Sequence, residues 1–98
     1  MWRHGDVLIA AVQALPREAK RRQTTILVHG ELTGHNHRLE DPATGELWDA
    51  GGTLFLRVTA PAARVIHQEH APITLGPGAY RVWQQREYSP EAIRRVVD

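Results

Sequence analysis

Histidine is the residue type in this chain best suited to chemistry, because its 98 residues include six histidines and no cysteine. Four of the six fall in two tight groups, one at His35 and His37 and the other at His67 and His70. Imidazole binds transition metals through an uncharged nitrogen, and it also acts as a general acid or base near neutral pH. The two groups are therefore the candidate functional site.

The first group has the spacing of two ligands on one strand. Residues two apart in a strand point to the same side, with Cα atoms roughly 6–7 Å apart, so His35 and His37 could both reach one ion. The second group is less regular, because strict alternation would place His67 and His70 on opposite sides. We therefore expect a turn or bulge near Gln68, and Pro72 favours such a break.

The ligand types indicate a transition metal. Neutral imidazoles with at most one carboxylate suit Zn, Ni, Fe or Mn better than Ca or Mg, which prefer oxygen ligands. The predicted metal ligands are His35, His37, His67, His70 and Glu69. An open coordination position would permit hydrolysis, whereas a closed set would make the ion structural, and the sequence leaves both open. His4 and His29 have no histidine close by in the sequence and are predicted to be structural.

Two other functions fit the same residues. In a metal-free ribonuclease or phosphodiesterase, paired histidines would act as general base and acid while Arg38, Arg81 or Arg86 stabilised the phosphate charge. In a non-enzymatic interaction module, the histidines would be unconnected polar residues. The consecutive residues His35-Asn36-His37 are not an HNH nuclease motif, since in that family the three residues are spread over a ββα unit.

The length and composition predict one globular β domain over residues 1–98. A formal net charge of +1 does not indicate a nucleic-acid partner, so any site for an anion must be a local one. The absence of cysteine is compatible with a reducing cytoplasm, and we see neither an export signal nor a membrane-spanning segment.

The pattern of β-branched residues and Gly or Pro turns predicts an all-β fold, a small barrel or sandwich of about seven or eight short strands. The turn at residues 41–45 predicts a hairpin flanked by Leu39 and Leu47. Ser89 followed by Pro90 predicts a short C-terminal helix over residues 89–97. Sheet edges and three tryptophans predict a homo-oligomer, with Trp83 as the contact residue.

Part of the chain resembles the cupins. Gly30, His35, His37 and Glu40 are similar to the first cupin motif, and residues 75–80 are similar to the second. The resemblance implies a β-barrel that binds a metal. Tyr80 stands near the position where cupins have their last metal-binding histidine.

The chain also resembles a group of small bacterial and phage proteins over most of its length. The matching segments are GDVLI, TGHNH, HQEHAPITLGPGAYRV and QREYSPEAIRRV. This resemblance implies that the histidine segments belong together, and it implies no particular reaction.

Overall fold

The computed structural model describes residues 1–29 and 35–85, which form two antiparallel sheets. The strands, in chain order, are β1 (Trp2–His4), β2 (Val7–Val12), β3 (Lys20–Arg21), β4 (Ile26–His29), β5 (Asn36–Leu39), β6 (Gly45–Ala50), β7 (Thr53–Val58), β8 (Ala63–Ile66), β9 (Ile73–Leu75) and β10 (Gly78–Gln84). The predicted all-β class is confirmed. The described residues form ten strands, because β1 and β3 add to those predicted.

The larger sheet has the strand order β1-β2-β10-β7-β6-β3, and the smaller sheet has the order β4-β5-β8-β9. Inward side chains from both sheets form one apolar core, which includes Ile9, Leu39, Leu56 and Val65. Alternating residues on the longer strands supply most of this core, as the period of two requires for a sheet with one buried side. The arrangement is a small sandwich.

The prediction of a hairpin between Leu39 and Leu47 is wrong, because the strands that contain them belong to different sheets. A 3-10 turn at Pro42–Thr44 carries the chain from β5 in the smaller sheet to β6 in the larger one. Asp41 begins this turn and accepts a hydrogen bond from the amide of Ala43 at 3.0 Å. The sequence correctly marks a turn here, but the two strands it joins pair with other partners.

The predicted helix over residues 89–97 lies outside the described residues, as does Arg86. Within the part of the chain that the structure describes, no helix has the length and apolar character needed to cross a membrane.

Candidate functional site

Five histidines come together where one end of the larger sheet meets the smaller sheet. Every ring in the group lies within 6 Å of at least one other ring, measured between ring centres. We call this group the histidine cluster, and its members are His4, His35, His37, His67 and His70. The two histidine groups of the sequence therefore do belong to one region of the molecule.

Strand register places His37 and His67 side by side. Leu39 in β5 lies opposite Val65 in β8, and both side chains belong to the core. Because the two strands are antiparallel, moving two residues in the same direction leads back from Leu39 to His37 and forward from Val65 to His67, which lies just past the end of β8. The two ring centres are 4.3 Å apart. His37 is 4% exposed, which makes it part of the interior.

The chain leaves strand geometry directly after β8, as the sequence predicts for the region near Gln68. The amide of Glu69 donates a hydrogen bond to Nδ1 of His67 at 3.0 Å, which folds the backbone back on itself. The Gln68 side chain accepts a hydrogen bond from the amide of Asn36 at 3.2 Å and ties this turn to β5. As a result, the ring of His70 lies 4.7 Å from that of His67.

His4 enters the cluster from the other sheet. It is the last residue of β1, it lies opposite Val7, and it is 2% exposed. Gly5 and Asp6 form the two-residue turn to β2, and Gly5 has a φ of +65°, as a type II′ hairpin turn requires. A Cβ atom on Gly5 would lie 2.5 Å from Nε2 of His70, so this turn admits no side chain where it meets the cluster.

A chain of polar contacts links Asp6 to His4 through His37. Nδ1 of His4 and Nδ1 of His37 are 2.9 Å apart and share one hydrogen bond. Nε2 of His37 lies 3.4 Å from Oδ1 of Asp6. β10 anchors the carboxylate, because Gln84 donates to its Oδ2 and the amide of Gln85 donates to the Asp6 carbonyl at 2.7 Å.

The cluster favours uncharged imidazoles. Burial, together with the neighbouring His67 and His4, lowers the pKa of His37 to about 4. Burial is also the main cause that lowers the pKa of His4, although the nearby backbone of Ala71 partly offsets it. The pKa of His67 is lowered by burial and by His70 and His35. At neutral pH these three rings therefore carry no charge, which is the form that binds metals.

Asp6 remains ionised beside them. Partial burial alone would raise the pKa of Asp6, but the hydrogen bond from Gln84 and the proximity of His37 outweigh it, so the pKa is lowered overall. A carboxylate that contacts the second nitrogen of an imidazole is the usual partner of a metal-binding histidine. Asp6 has this relation to His37.

One buried atom in the cluster lacks a hydrogen-bond partner. Nε2 of His4 is shielded from solvent, and it makes no hydrogen bond of ordinary geometry, even to the nearby backbone of Ala71. A buried polar atom without a partner typically costs about 1–3 kcal/mol. The position of Nε2 therefore suits a group that the protein binds.

His35 and Glu69 lie at one edge of the cluster, where His70 is also exposed. Nδ1 of His35 lies 3.3 Å from Oε1 of Glu69, whose side chain is largely exposed. The ring of His35 is 5.7 Å from that of His67. The structure therefore brings all five predicted ligands into one region, with this pair at its edge.

The four remaining rings have the spacing of ligands around one ion. Their centres are 4.3–6.3 Å apart, the extremes being His37–His67 and His4–His67. With metal–nitrogen bonds of about 2.1 Å, the ring centres of a tetrahedral set are about 5 Å apart. As the side chains stand, however, no three His, Asp or Glu groups of the described ranges converge to hold an ion. Binding would need the rings to turn.

Two residues of the cupin-like motifs, Glu40 and Tyr80, make contacts away from the histidine cluster. Glu40 makes an ion pair with Arg64 at 3.3 Å on the surface of the smaller sheet. The Tyr80 hydroxyl donates to the carbonyl of Gly76 at 2.6 Å, and its ring packs in the core. Gly30 lies outside the described residues.

Sequence reasoning missed His4, a member of the cluster, and Asp6, which contacts it. His4, which we predicted to be a structural residue, lies among the other rings because β1 pairs with β2. Trp2 and His4 lie two residues apart just before the Gly5-Asp6 turn, so they share a side of β1. This pattern alone does not say which histidines lie opposite.

Comparison with known proteins places the chain in a family without assigning an activity. Residues 3–85 match the model of a domain of unknown function, DUF8820. The chain belongs to this family. No curated protein and no solved structure matches the chain. The matched range includes every member of the histidine cluster, so the cluster lies within the family's domain.

Proposed function

We propose that this family member binds a transition metal ion through the histidine cluster, with His4, His37, His67 and His70 as ligands. The observation that carries the proposal is the packing of these four rings at ligand spacing, with Nε2 of His4 buried and without a partner. Zn, Ni, Fe and Mn all accept such nitrogen-rich sets. His35 and Glu69, at the exposed edge, are expected to support the site.

The electrostatics support this assignment. His4, His37 and His67 lie close together, and burial is the main cause that lowers the pKa of each, so these three rings are neutral at neutral pH. Neutral rings that are withdrawn from water lose hydrogen bonds to solvent. A metal ion bound at Nε2 of His4 would offset that cost for the one buried nitrogen of the cluster that lacks a partner.

Metal binding should also reorganise the turn after β8. Nδ1 of His67 accepts the Glu69 amide, so the proton of the neutral ring sits on Nε2. To bind a metal through Nε2, His67 would need that proton on Nδ1, facing the amide. To bind through Nδ1, it would have to give up the same hydrogen bond. Either way, we expect the hydrogen bond to break on metal binding.

A competition titration with a chelating dye would test the proposal. Zinc affinity would be measured for the wild type, His37→Gln, His67→Gln and the double variant. Ligands of one ion should be strongly non-additive, so the double variant should be little worse than either single variant. Additive losses, or an unchanged affinity in both single variants, would show that the two strands do not share an ion.

The contact chain from Asp6 to His4 supports a second candidate, metal-free acid–base catalysis. In hydrolytic enzymes a carboxylate commonly orients the imidazole that transfers the proton, and Asp6 contacts His37 in this way, with His4 on the other nitrogen of the ring. The substrate class would be a phosphodiester, with arginine stabilising its charge. Cleavage of a fluorogenic RNA that persists in excess chelator and is lost in His4→Gln would favour this function over a metal site.

A further inference from the structure

The outer side of the larger sheet carries an unusual set of side chains. Strand register places Arg81, Phe55, Trp48 and Arg21 in one row across four strands. Trp83, two residues from Arg81, points to the same side and lies opposite Leu8. We call this side the aromatic–arginine face. It is distinct from the histidine cluster, which lies between the sheets.

The aromatic residues of this face form a strip across three neighbouring strands. Trp48, Phe55 and Trp83 lie on the neighbouring strands β6, β7 and β10, which are about 5 Å apart, so the strip is about 10 Å wide. Trp48 and Trp83 are half-buried, and Phe55 is largely covered between its neighbours. The guanidinium of Arg81 lies 4.9 Å from the ring centre of Trp83. A flat group thus already stacks on one ring of the strip.

The described part of the face is strongly basic although the chain as a whole is nearly neutral. Its exposed arginines are Arg3, Arg21, Arg57 and Arg81. Its one acidic residue is Glu46, which lies opposite Arg57 and makes an ion pair with Arg21 at 3.6 Å. Four arginines against one glutamate give the face a formal charge of +3, compared with +1 for the whole chain.

We propose that the aromatic–arginine face binds single-stranded nucleic acid. Aromatic rings on a sheet offer stacking surfaces for unpaired bases, and flanking arginines contact the phosphates, which is the general mode of single-strand recognition. The width of the strip fits a few nucleotides. This binding site is independent of the metal site, so either proposal can fail alone.

A second copy of the chain is the competing occupant, since the sequence predicts Trp83 as a contact between protomers. Two copies facing each other through this surface would bring eight arginines together with only two glutamates to offset their charge. Like charges across an interface are unfavourable. A polyanion with flat bases complements both the charge and the rings, and for that reason we favour it.

Fluorescence anisotropy with labelled 12-nucleotide oligo(dT) and oligo(U) at low salt would test the proposal. With about four arginines in contact, the log–log dependence of affinity on salt should have a slope near −3, because each phosphate contact contributes about −0.7. Arg57→Gln and Arg81→Gln should each reduce the magnitude of that slope by about 0.7. The matched control is Arg64→Gln, since Arg64 is an exposed arginine of the smaller sheet, and it should leave the slope unchanged.

Variants of the tryptophans test the contribution of base stacking to binding. Trp48→Ala and Trp83→Ala should each weaken binding by about tenfold, whereas Trp83→Phe should retain most of the affinity. If an alanine variant does not fold, the phenylalanine and arginine variants carry the test. Absence of binding by the wild type at low salt, or equal losses in Arg57→Gln and Arg64→Gln, would overturn the proposal. A dimer in sedimentation that Trp83→Phe or Trp83→Ala dissociates, without nucleic-acid binding, would assign the face to a second copy.

Discussion

Individual residues of the histidine cluster have separable roles, and Gly5 is the clearest case. It combines a left-handed backbone with direct contact to His70, since a Cβ atom would come within 2.5 Å of Nε2. Gly51 has a similar φ of +55°, but a Cβ atom there would meet nothing within 4 Å. The pair therefore separates backbone strain from contact with the cluster.

Gly5→Ala should destabilise the protein and also weaken metal binding, because the new methyl group must displace His70. Gly51→Ala should lower the free energy of unfolding by about 1–2 kcal/mol, through backbone strain only, and leave metal affinity unchanged. Urea unfolding and a zinc titration of both variants would measure the two effects. Equal metal affinity in the two variants would show that the contact between Gly5 and His70 is irrelevant to the site.

Asp6 should act on the metal through His37. Asp6→Asn removes the negative charge beside Nε2 of His37, and loss of such a partner typically lowers metal affinity 10–100-fold. Asp49→Asn is the matched control, because Asp49 pairs with Arg22 at the surface of the larger sheet. Zinc titration should separate the two variants, and a similar affinity for both would remove Asp6 from the site.

At the residue scale, sequence reasoning was limited because the sequence does not show which strands lie next to each other. His37 and His67 could be connected because each belongs to one of two closely spaced histidine pairs. His4 could not, because a lone histidine near the start of the chain gives no indication of the strand it will face. The contribution of Asp6 depends on the same pairing, so it was missed with His4.

Among the elements, the cluster connects the two sheets. His4 and Asp6 belong to the β1–β2 hairpin of the larger sheet, whereas His37 and the residues after β8 belong to the smaller one. An ion bound by both sides would add to the core packing and to the contacts of His37 with His4 and Asp6, which already join these elements. The metal is thus expected to stabilise the sandwich and not only one loop.

Hydrogen exchange can measure this coupling. Saturating zinc should slow amide exchange in β1, β5 and the turn after β8 together, because binding to the folded state raises the free energy of opening by about 2.7 kcal/mol at 100 times Kd. β3 and β6, at the far edge of the larger sheet, serve as the internal reference. Protection confined to the turn after β8 would mean that the ion does not connect the sheets.

Strands were well predicted where the local sequence pattern was strong. The pairing between strands was poorly predicted, because it depends on the topology of the whole fold. β2, β7 and β10 follow from runs of β-branched and other apolar residues between Gly or Pro turns. The turn at Pro42–Thr44 was recognised, but its flanking strands were predicted to pair with each other. Local turn chemistry cannot tell a hairpin from a crossing between sheets, because both need the same reversal of the backbone.

For the whole molecule, the cluster should make stability depend on pH in the metal-free state. The pKa of His37 is lowered from 6.5 to about 4 in the folded chain, so the unfolded chain binds protons more readily between these values. Stability should therefore be complete above pH 6.5 and fall as the pH drops toward 4. His37 alone would account for at most about 3 kcal/mol of this loss.

Urea unfolding in the presence of chelator, measured from pH 7.5 to 4, would reveal this dependence. His37→Gln should flatten the profile, because the substituted residue does not titrate. A wild-type profile that is already flat across this range would mean that the rings are not held neutral by their surroundings.

The metal content of untagged protein tests the central claim most directly. We predict that protein purified without a histidine tag, loaded with zinc and dialysed against metal-free buffer, retains about one equivalent by elemental analysis. It should also melt at a higher temperature than the chelator-treated protein. Retention of no zinc, nickel, iron or manganese, together with a melting temperature that none of these ions changes, would contradict the account.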